Sequence, residues 1–345
     1  MRIAIHQNPN IFNHYSSWSI PWIEYCKEHN LDYEVVDCYD YKIIEKLERF
    51  DILLWHFFGN VIQDMSFARS ILYIAKKMGL KVFPDFNESW HFDDKIAETY
   101  LLQSVNAPMP KSWVFYTIND LNNWIETEGK FPIVAKLKSG SGSNNVKLIK
   151  DSKKLLKYSK RMFGRGYSPA PRVGFKAKSQ LKSSKNIGEI KARFKKIPQF
   201  IETMRLGKQL PNEKGYVYFQ EFTPNPGYDI KIAVVGNKLS FIGRNIRKDD
   251  FRASGGGDLF YDKNLVTKDI IESAFRIADE LGFQCIGFDY LIDERISRGI
   301  IIEISYGFSH TALLNAGGYW DREGVWYDEP LNAPKNILKN IVAKM

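Results

Sequence analysis

The sequence predicts a mixed α/β protein, with α/β order at the N-terminus and α+β order after it, and three observations lead to that prediction. Strand and helix patterns alternate over roughly the first 90 residues. Later strand patterns follow one another across short turns such as Gly236-Asn237. The chain has 345 residues, of which 44% are hydrophobic and 14% aromatic, enough for two or three domains with a sizeable core.

The N-terminal part, residues 1–92, is predicted to be an α/β domain. Its predicted strands are Arg2–His6, Tyr33–Cys38, Ile52–Phe57 and Lys81–Phe83, and its predicted helices are Trp18–His29 (capped by Ser16 or Ser17), Tyr41–Arg49 and Met65–Met78. The loop Gln7–Asn10 follows the first strand at its carboxyl end, where open α/β sheets bind ligands. Because this loop lacks a glycine-rich fingerprint, a dinucleotide is disfavoured.

A second part begins near Asp93, after a break at Pro84–Asn87. Its predicted elements are a helix at about Lys95–Ser104, a strand at Ser112–Phe115, a helix at Asn119–Glu128, strands at Phe131–Lys138, Val146–Lys150, Tyr216–Glu221, Asp229–Val235 and Leu239–Arg244, a helix at Lys268–Leu281, strands around Asp289 and Glu303, and a closing helix at Asn336–Ala343. The basic stretch Lys153–Lys214 interrupts this series, and its segment Gly164–Pro171 is predicted to be rich in turns.

Two carboxylates interrupt apolar strands near the C-terminus: Asp289 within Gly287–Ile292, and Glu303 within Gly299–Ser305. Ionised carboxylates are costly to bury, and two of them at one level of a hairpin repel each other unless a cation lies between them. A magnesium ion shared with a phosphate meets this need, because magnesium prefers oxygen ligands. Two solvated acids, or acids paired with Arg or Lys, are the alternative.

A Gly/Ser loop, Ser139–Asn144, separates two strands. It is not a P-loop, because no Gly-Lys-Ser/Thr opens a helix. The functional interpretation is a hairpin lid, in which backbone N–H groups around Ser141 and Gly142 close over phosphates and Lys136 meets a phosphate oxygen. A mobile surface turn is the alternative.

The strand that ends at Gln220 and Glu221 stops just before Phe222 and the proline Pro224. The backbone of such a segment can contact an adenine edge, as nucleotide hinges do. An ordinary edge strand that ends at a proline is the alternative.

The longest run of candidate residues follows that proline. Asp229 and Lys231 share one face of a strand, and Arg244 on the returning strand can point to the same face. Arg252, Ser254 and the triple glycine after them form a cationic, conformationally free loop suited to oxyanions. Cations that converge with two acids are typical of phosphoryl transfer with a metal. A solvated network of Arg, Lys and Asp is the alternative.

The net charge of +9 comes from one segment. Between Lys150 and Gly215 there are 19 Lys/Arg against 4 Asp/Glu, whereas the rest of the chain has 30 against 36. We interpret this basic segment, residues 150–215, as a platform for an anionic acceptor such as a glycan or a nucleotide-sugar, with a solvated insertion as the alternative. Nucleic acid is disfavoured, because no RNA-binding motif is present and the remaining surface is acidic.

Cysteine usage and hydropathy bear on the compartment. The three cysteines have no CxxC spacing, which favours a reducing environment, so we expect a cytoplasmic protein. No apolar run approaches the roughly 18 residues of a membrane span. The sequence is compatible with a homo-oligomer and does not specify the oligomeric state. The histidines His6, His56 and His310 could contact a substrate, although packed histidines are the more common case.

In this order, the segments from about Asp93 to Ser309 resemble the ATP-grasp superfamily of carboxylate–amine ligases, in the branch of the glutathione synthetases and ribosomal-protein glutamate ligases. The resemblance is most specific around Asp229 and Lys231, at Arg244, at Asp250-Phe251-Arg252 and in the two acid strands. It implies an ATP-grasp domain over residues 93–345. A lid subdomain at about 112–220 would carry the basic segment, an antiparallel sheet would follow, and residues 1–92 would form a Rossmann-like pre-ATP-grasp domain.

The resemblance also implies roles for the matching residues. Together with the hairpin and hinge residues, it predicts a nucleotide site made of Lys95, Lys136, Ser141, Gly142, Gln220, Glu221, Phe222, Asp229, Arg252 and Ser254. The implied catalytic residues are Lys231, Arg244 and Arg252. The implied ligands of magnesium (or manganese) are Asp289, Glu303 and Ser305.

Two positions depart from the family pattern. Ser305 stands where the family usually has an asparagine that is a third metal ligand, so the second metal site could be weaker. Lys231 stands where the branch often has arginine, which keeps the charge but loses the bidentate fork. Neither change removes Lys136, Arg244, Arg252 or the two acids, so an active enzyme is expected.

The implied reaction begins with ATP phosphorylating a small-molecule carboxylate, and an amine then attacks the acyl phosphate to form an amide bond. The acceptor could be an amino acid, a peptide or an anionic surface-glycan precursor. Two alternatives remain open: an ATP-grasp kinase that phosphorylates a hydroxyl, and a non-catalytic anion- or nucleic-acid-binding protein with a degenerate ATP site.

Overall fold

The computed structural model of the protein describes residues 1–7, 17–59, 61–140, 145–169, 211–246 and 258–345. The chain divides into two compact units. Unit 1 contains Met1–Phe92, Ala97–Met109 and Thr223–Met345, and unit 2 contains Asp93–Ile96 and Pro110–Phe222. Among the described residues, no helix combines the length and apolar character needed to cross a membrane.

Unit 1 begins with a four-stranded parallel sheet. Its strands are β1 (Arg2–His6), β2 (Asp32–Val36), β3 (Ile52–Leu54) and β4 (Lys81–Phe83), in the order β2-β1-β3-β4. Its helices are α1 (Ser19–Glu28), α2 (Ile43–Leu47), α3 (Ile62–Lys77) and α4 (Phe86–Ser89). Each predicted element of this part is present, with shifted ends. The N-cap of α1 is Trp18, one residue after Ser17, and Ser16 lies outside the described residues.

The break predicted at Pro84–Asn87 contains the start of a helix instead. Asp85 caps α4, and the side chain of Glu88 returns the contact to the backbone of Asp85. This reciprocal capping box satisfies the first donors of a helix too short to show an apolar periodicity.

Unit 2 contains a four-stranded antiparallel sheet. Its strands are β5 (Ser112–Phe115), β6 (Ile133–Lys136), β7 (Lys147–Ile149) and β8 (Val217–Glu221), in the order β5-β8-β6-β7. The helices are the first residues of α5 (Lys95–Ser104), then α6 (Ile118–Thr127) and α7 (Ser152–Phe163). Helix α7 was not predicted from the sequence, and it ends just before the predicted turn-rich segment Gly164–Pro171. Its buried residues Leu155, Tyr158 and Met162 recur at helical spacing, so the amphipathic pattern was present beneath the lysines.

The rest of unit 1 is built on a seven-stranded sheet, in which all the strand pairs are antiparallel. Its strands are β9 (Tyr228–Val235), β10 (Lys238–Asn245), β11 (Leu259–Phe260), β12 (Cys285–Asp293), β13 (Arg298–Ser305), β14 (Tyr319–Trp320) and β15 (Trp326–Tyr327). The order is β13-β12-β9-β10-β14-β15, with β11 beside β10. The helices are α8 (Lys268–Glu280), α9 (His310–Leu314) and α10 (Ala333–Val342). The mixed fold class is confirmed.

Helix α8 covers one face of this sheet. Ile270 lies so close to Gly299 that a Cβ at position 299 would collide with it, and Ser273 contacts the hydroxyl of Tyr290 at 2.8 Å. Because neighbouring residues of a strand point to opposite faces, the side chains of Tyr290 and Asp289 lie on opposite sides of β12. The helix-covered face is therefore apolar core, and the other face is available for charged groups.

Candidate active site

The C-terminal sheet brings the acids and cations predicted for unit 1 onto one face. Lys231 on β9 pairs with Asp289 on β12, which pairs in turn with Glu303 on β13. Arg244 on β10 pairs with Asp229 on β9. Because Asp229 and Lys231 are two residues apart on one strand, both rows share a face. Four adjacent strands thus carry one continuous charged face.

A β-bulge decides on which side Glu303 lies. The pairing of β12 with β13 shifts here, since Asp289 pairs with Glu303 whereas Tyr290 pairs with Ile301. Ile302 is the extra residue, and it reverses the alternation of β13. Ile301 therefore lies on the helix-covered face with Tyr290, and Glu303 lies beside Asp289 on the charged face.

Arg244 joins two buried carboxylates. Its Nε lies 3.1 Å from Asp229 Oδ1, and its Nη2 contacts Asp229 Oδ2. The same Nη2 lies 3.0 Å from Asp289 Oδ2, and the other oxygen of Asp289 contacts Lys231 Nζ. Asp229 is 0% exposed and Asp289 is 4% exposed, so water does not compensate these charges. With Glu303, the face has three carboxylates against two cations.

The two aspartates differ in pKa. Burial works to raise the pKa of Asp289, but Arg244 and Lys231 outweigh it and hold the pKa below its ordinary value. Burial is also the largest influence on Asp229, where it raises the pKa against the opposing effect of Arg244. Negative charge is therefore concentrated on Asp289, beside Glu303, which is where a cation would be held.

Ser305, the predicted third metal ligand, follows Glu303 on the same face and pairs with Gly287. Its hydroxyl donates to the carbonyl of Gly307 at 2.8 Å and accepts from the N–H of Gly307 at 3.2 Å. The serine hydroxyl has two lone pairs, so one remains for a metal. The side chain thus combines a local turn with a single remaining acceptor site.

The donors on this face fit a magnesium ion. A carboxylate oxygen has two lone pairs, so contact with Lys231 or Arg244 leaves Asp289 able to bind a metal as well. Within the described ranges, no group of three or more His, Cys, Asp or Glu side chains could hold a metal ion. Magnesium commonly binds through one or two carboxylates together with substrate phosphates. Asp289 and Glu303 therefore suit a metal whose coordination a phosphate completes.

In unit 2, the buried Lys136 is held by Gln220. Lys136 Nζ donates to Gln220 Oε1 at 2.7 Å, and Gln220 Nε2 donates to Ser112 Oγ at 3.2 Å and to the Tyr218 hydroxyl at 3.3 Å. The backbone of Gln220 lies inside the sheet, paired with Ser112 on one side and Val134 on the other. The side chain of Gln220 is thus a partner of the lysine, a role that the sequence did not suggest.

The remaining hinge residues close β8. The Glu221 N–H donates to the Lys111 carbonyl at 2.8 Å, and the Phe222 N–H donates to the Pro132 carbonyl at 3.4 Å. Both Glu221 and Phe222 are half-buried. Their contact with an adenosine stays a prediction.

Lys95 is the first residue of α5 and is buried in unit 2. Its Nζ donates to the Gly140 carbonyl and its N–H to the Lys138 carbonyl, both at 2.8 Å. Lys95 is therefore fixed to the start of the Gly/Ser loop.

Four predicted site residues lie outside the described residues, namely Ser141, Gly142, Arg252 and Ser254. Residues 170–210 of the basic segment also lie outside them.

Of the three histidines proposed to contact a substrate, His6 and His310 are buried and His56 is half-buried. Burial is the main cause that lowers the pKa of His6 to about 4 and that of His56 to about 3, so both are neutral at physiological pH. The His56 ring stacks on Trp18 with centroids 4.5 Å apart, and a Cβ at Gly307 would lie 3.1 Å from His56 Nε2. This packing favours a structural role for His56.

Comparison with known structures identifies the architecture. The D-alanine–D-alanine ligase of Bacillus anthracis has a TM-score of 0.58 at 13% identity, over 100% of this chain and 98% of that chain. A RimK domain ATP-grasp protein from Sphaerobacter thermophilus has a TM-score of 0.54 at 13% identity, over 99% and 100%. The biotin carboxylase domain of the Hydrogenobacter thermophilus 2-oxoglutarate carboxylase has a TM-score of 0.57 at 10% identity, over 99% and 69%.

The chain has the ATP-grasp fold. The ATP-grasp fold predicted from the segments between Asp93 and Ser309 is therefore confirmed, and the likeness in fold extends over the whole chain. No family model and no curated protein matches the sequence. The fold is thus recognised from the three-dimensional structure and from the spaced motif residues between Asp93 and Ser309, not from overall sequence similarity.

Within the ATP-grasp fold, the contacts that the sequence did not reveal join distant residues. Lys136 and Gln220 are 84 positions apart, and Glu213 contacts Lys138 across 75 positions. Such pairs have no local pattern, because periodicity reports only which face of an element a residue occupies.

Proposed function

We propose that the protein is an ATP- and magnesium-dependent ligase that forms an amide bond between a carboxylate and an amine. The observation that carries this proposal is the charged face, on which Lys231, Arg244, Asp229, Asp289 and Glu303 converge. The fold supports it, since the B. anthracis ligase has also been seen with ATP, and the biotin carboxylase domain with MgADP and bicarbonate.

ATP would be bound by the residues predicted for a nucleotide site. Lys136 and Lys95 would offset charge on the phosphates, while Glu221 and Phe222 would contact the adenosine. Asp289 and Glu303 would hold magnesium, with Ser305 as a third oxygen. Bound magnesium would supply positive charge to the phosphates, as it does in phosphoryl transfer generally.

The reaction balances as two substitutions. An oxygen of the substrate carboxylate attacks the γ-phosphorus of ATP, and the bond to the bridging oxygen breaks, which gives an acyl phosphate and ADP. The amine nitrogen then attacks the acyl carbon and loses a proton as phosphate leaves. The conversion of ATP to ADP and phosphate thus drives amide formation, which is otherwise unfavourable in water.

Arg244 would stabilise the developing oxyanion. Asp229 accepts from both Nε and Nη2 of Arg244, so the guanidinium is held in one orientation before substrate arrives. Preorganised donors of this kind need no rearrangement at the moment of reaction. Lys231 contacts Asp289 and partly offsets its charge.

The acceptor substrate is proposed to be anionic. The support is the excess of 19 Lys/Arg over 4 Asp/Glu in residues 150–215, which attracts anions by electrostatic steering. Glycans with carboxylates and nucleotide-sugars fit this charge. A cytoplasmic location, where ATP is available, is part of the same proposal.

ADP release tests the function. A panel of carboxylates and amines is assayed with the parent protein, with Glu303→Ala and Lys136→Ala, and with the exposed matched control Glu294→Ala. We expect Glu303→Ala and Lys136→Ala to abolish ADP release and Glu294→Ala to retain it. Near-normal turnover in both site variants would contradict the proposal.

Hydroxylamine trapping separates the proposed function from its alternatives. An acyl phosphate gives a hydroxamate, whereas a phosphorylated hydroxyl does not. ADP release without hydroxamate would therefore indicate a kinase. Magnesium-dependent ATP binding without ADP release on any acceptor would indicate a binding protein.

A further inference from the structure

The carboxylate of Glu213 holds the first residues of the Gly/Ser loop in unit 2. Its Oε2 accepts from the Lys138 N–H at 2.9 Å, and its Oε1 accepts from the Ser139 N–H at 3.1 Å. The Ser139 hydroxyl contacts the same Oε1. Hydrogen bonds to an ionised acceptor are about twice as strong as neutral ones. One side chain thus fixes two consecutive backbone donors that lie just after Lys136.

Glu213 is itself fixed. Its backbone exchanges two hydrogen bonds with Tyr167, at 3.0 and 2.9 Å. The Tyr216 hydroxyl contacts Glu213 Oε2 and also accepts from the Lys138 N–H at 2.7 Å. Burial is the main cause that raises the pKa of Tyr216 above its usual value, so the hydroxyl keeps its proton and donates. The carboxylate therefore has a defined orientation.

The loop is held from its other side by the start of α5. Lys95 binds the carbonyls of Lys138 and Gly140, and the Asp93 carboxylate accepts from the Gly140 N–H at 3.2 Å. Asp94 forms an ion pair with the Lys138 ammonium at 3.2 Å. The segment Lys138–Gly140 is thus clamped between Glu213 and the helix that begins with Lys95.

We propose that Glu213 is a positioning residue for ATP, which acts by holding the Lys138–Gly140 segment so that Lys95 and Lys136 meet the phosphates in one geometry. This inference rests on the proposed function. Glu213 would not touch the nucleotide, since its carboxylate would repel phosphate. It lowers the ordering cost of binding, because the segment is already fixed in the free protein.

The test uses the full-length protein with Glu213→Gln, Tyr216→Phe and the exposed control Glu126→Gln, which lies on α6 of the same unit. ATP affinity is measured by calorimetry with magnesium, and amide hydrogen exchange is followed in a peptide that spans Lys138 and Ser139. We expect Glu213→Gln to raise the Kd for ATP about tenfold, with a smaller rise for Tyr216→Phe. At saturating ATP, kcat should stay within about twofold of the parent value, because the lost interaction would contribute equally to binding in the ground state and in the transition state.

Exchange at the Lys138 and Ser139 amides should be faster in Glu213→Gln and unchanged in Glu126→Gln. Faster exchange with an unchanged Kd would overturn the positioning role, and unchanged exchange would show that the contact does not hold the segment. A parent protein that does not bind ATP would overturn the proposed function and this inference with it. A parent that binds, beside a Glu213→Gln variant that binds equally, overturns the role of Glu213 alone.

Discussion

Arg244 Nη2 lies 3.0 Å from Asp289 Oδ2 while the same nitrogen contacts Asp229, so one guanidinium joins two carboxylates that are buried in a single sheet. The two interpretations of the acids are therefore compatible: they can be paired with Arg or Lys and still hold a metal. Asp289 is paired with cations and is still adjacent to Glu303. The arrangement predicts effects on both stability and activity.

Removing the arginine should destabilise the fold. Arg244→Met leaves Asp229 buried without its partner, and the expected loss in the free energy of unfolding is about 3–5 kcal/mol. Urea denaturation measures it. The exposed Arg298→Met on β13 serves as control and should stay within about 0.5 kcal/mol. If Arg244→Met unfolds at the parental urea concentration, the pair is not a structural requirement.

Changing the partner of Lys136 should weaken ATP binding. Gln220→Glu places a carboxylate beside Lys136 Nζ, where the amide oxygen now lies at 2.7 Å, and so neutralises the charge meant for phosphate. We expect the Kd for ATP, measured by calorimetry, to rise about tenfold, which corresponds to about 1.4 kcal/mol. Gln103→Glu, an exposed change on α5, is the matched control. Equal affinity in both variants would show that Lys136 does not bind the nucleotide.

Restoring an amide at position 305 should tighten metal binding. The Ser305 hydroxyl donates to the Gly307 carbonyl and accepts from the Gly307 N–H. An asparagine side-chain carbonyl would offer a stronger oxygen ligand. In Ser305→Asn, the magnesium concentration for half-maximal ADP release should fall by about threefold or more. Ser305→Ala should move it the other way. An unchanged requirement in both variants would place residue 305 outside the metal site.

Glu88 should make stability depend on pH. Burial, the largest cause, raises its pKa to about 7, while the N–H groups of Gln284 and Asp85 oppose the rise. Between its ordinary pKa of about 4.5 and pH 7, the folded protein holds a proton that the unfolded chain has lost. The contribution of Glu88 is therefore fully present below about pH 4.5 and is lost as pH rises towards 7, with a limiting slope of about 1.4 kcal/mol per pH unit.

A neutral side chain should remove that dependence. In Glu88→Gln, the difference in urea midpoint between pH 5 and pH 7.5 should shrink relative to the parent, because glutamine does not titrate. The exposed Glu45→Gln change should leave the parental difference intact. A parental slope that survives in Glu88→Gln would assign the pH dependence to other groups.

The residues of the candidate site were largely accessible to sequence reasoning, because residue type and strand period are local properties. Period-2 alternation placed Asp229 and Lys231 on one face, and the turn Gly236-Asn237 returned Arg244 to them. The same reasoning missed α7, whose 12 residues include five Lys or Arg that obscured the amphipathic pattern of Leu155, Tyr158 and Met162.

By itself, the sequence determined which charged side chains interrupt apolar strands and in what order, and that order was enough to indicate the ATP-grasp fold. The tertiary structure alone decided three other points. The bulge at Ile302 sets the face of Glu303, since an unbroken run of isoleucines has no alternation from which a face can be read. The cations around Asp289 and the clamp of Glu213 on Lys138 join residues far apart in the chain, and only folding brings such groups within hydrogen-bond distance.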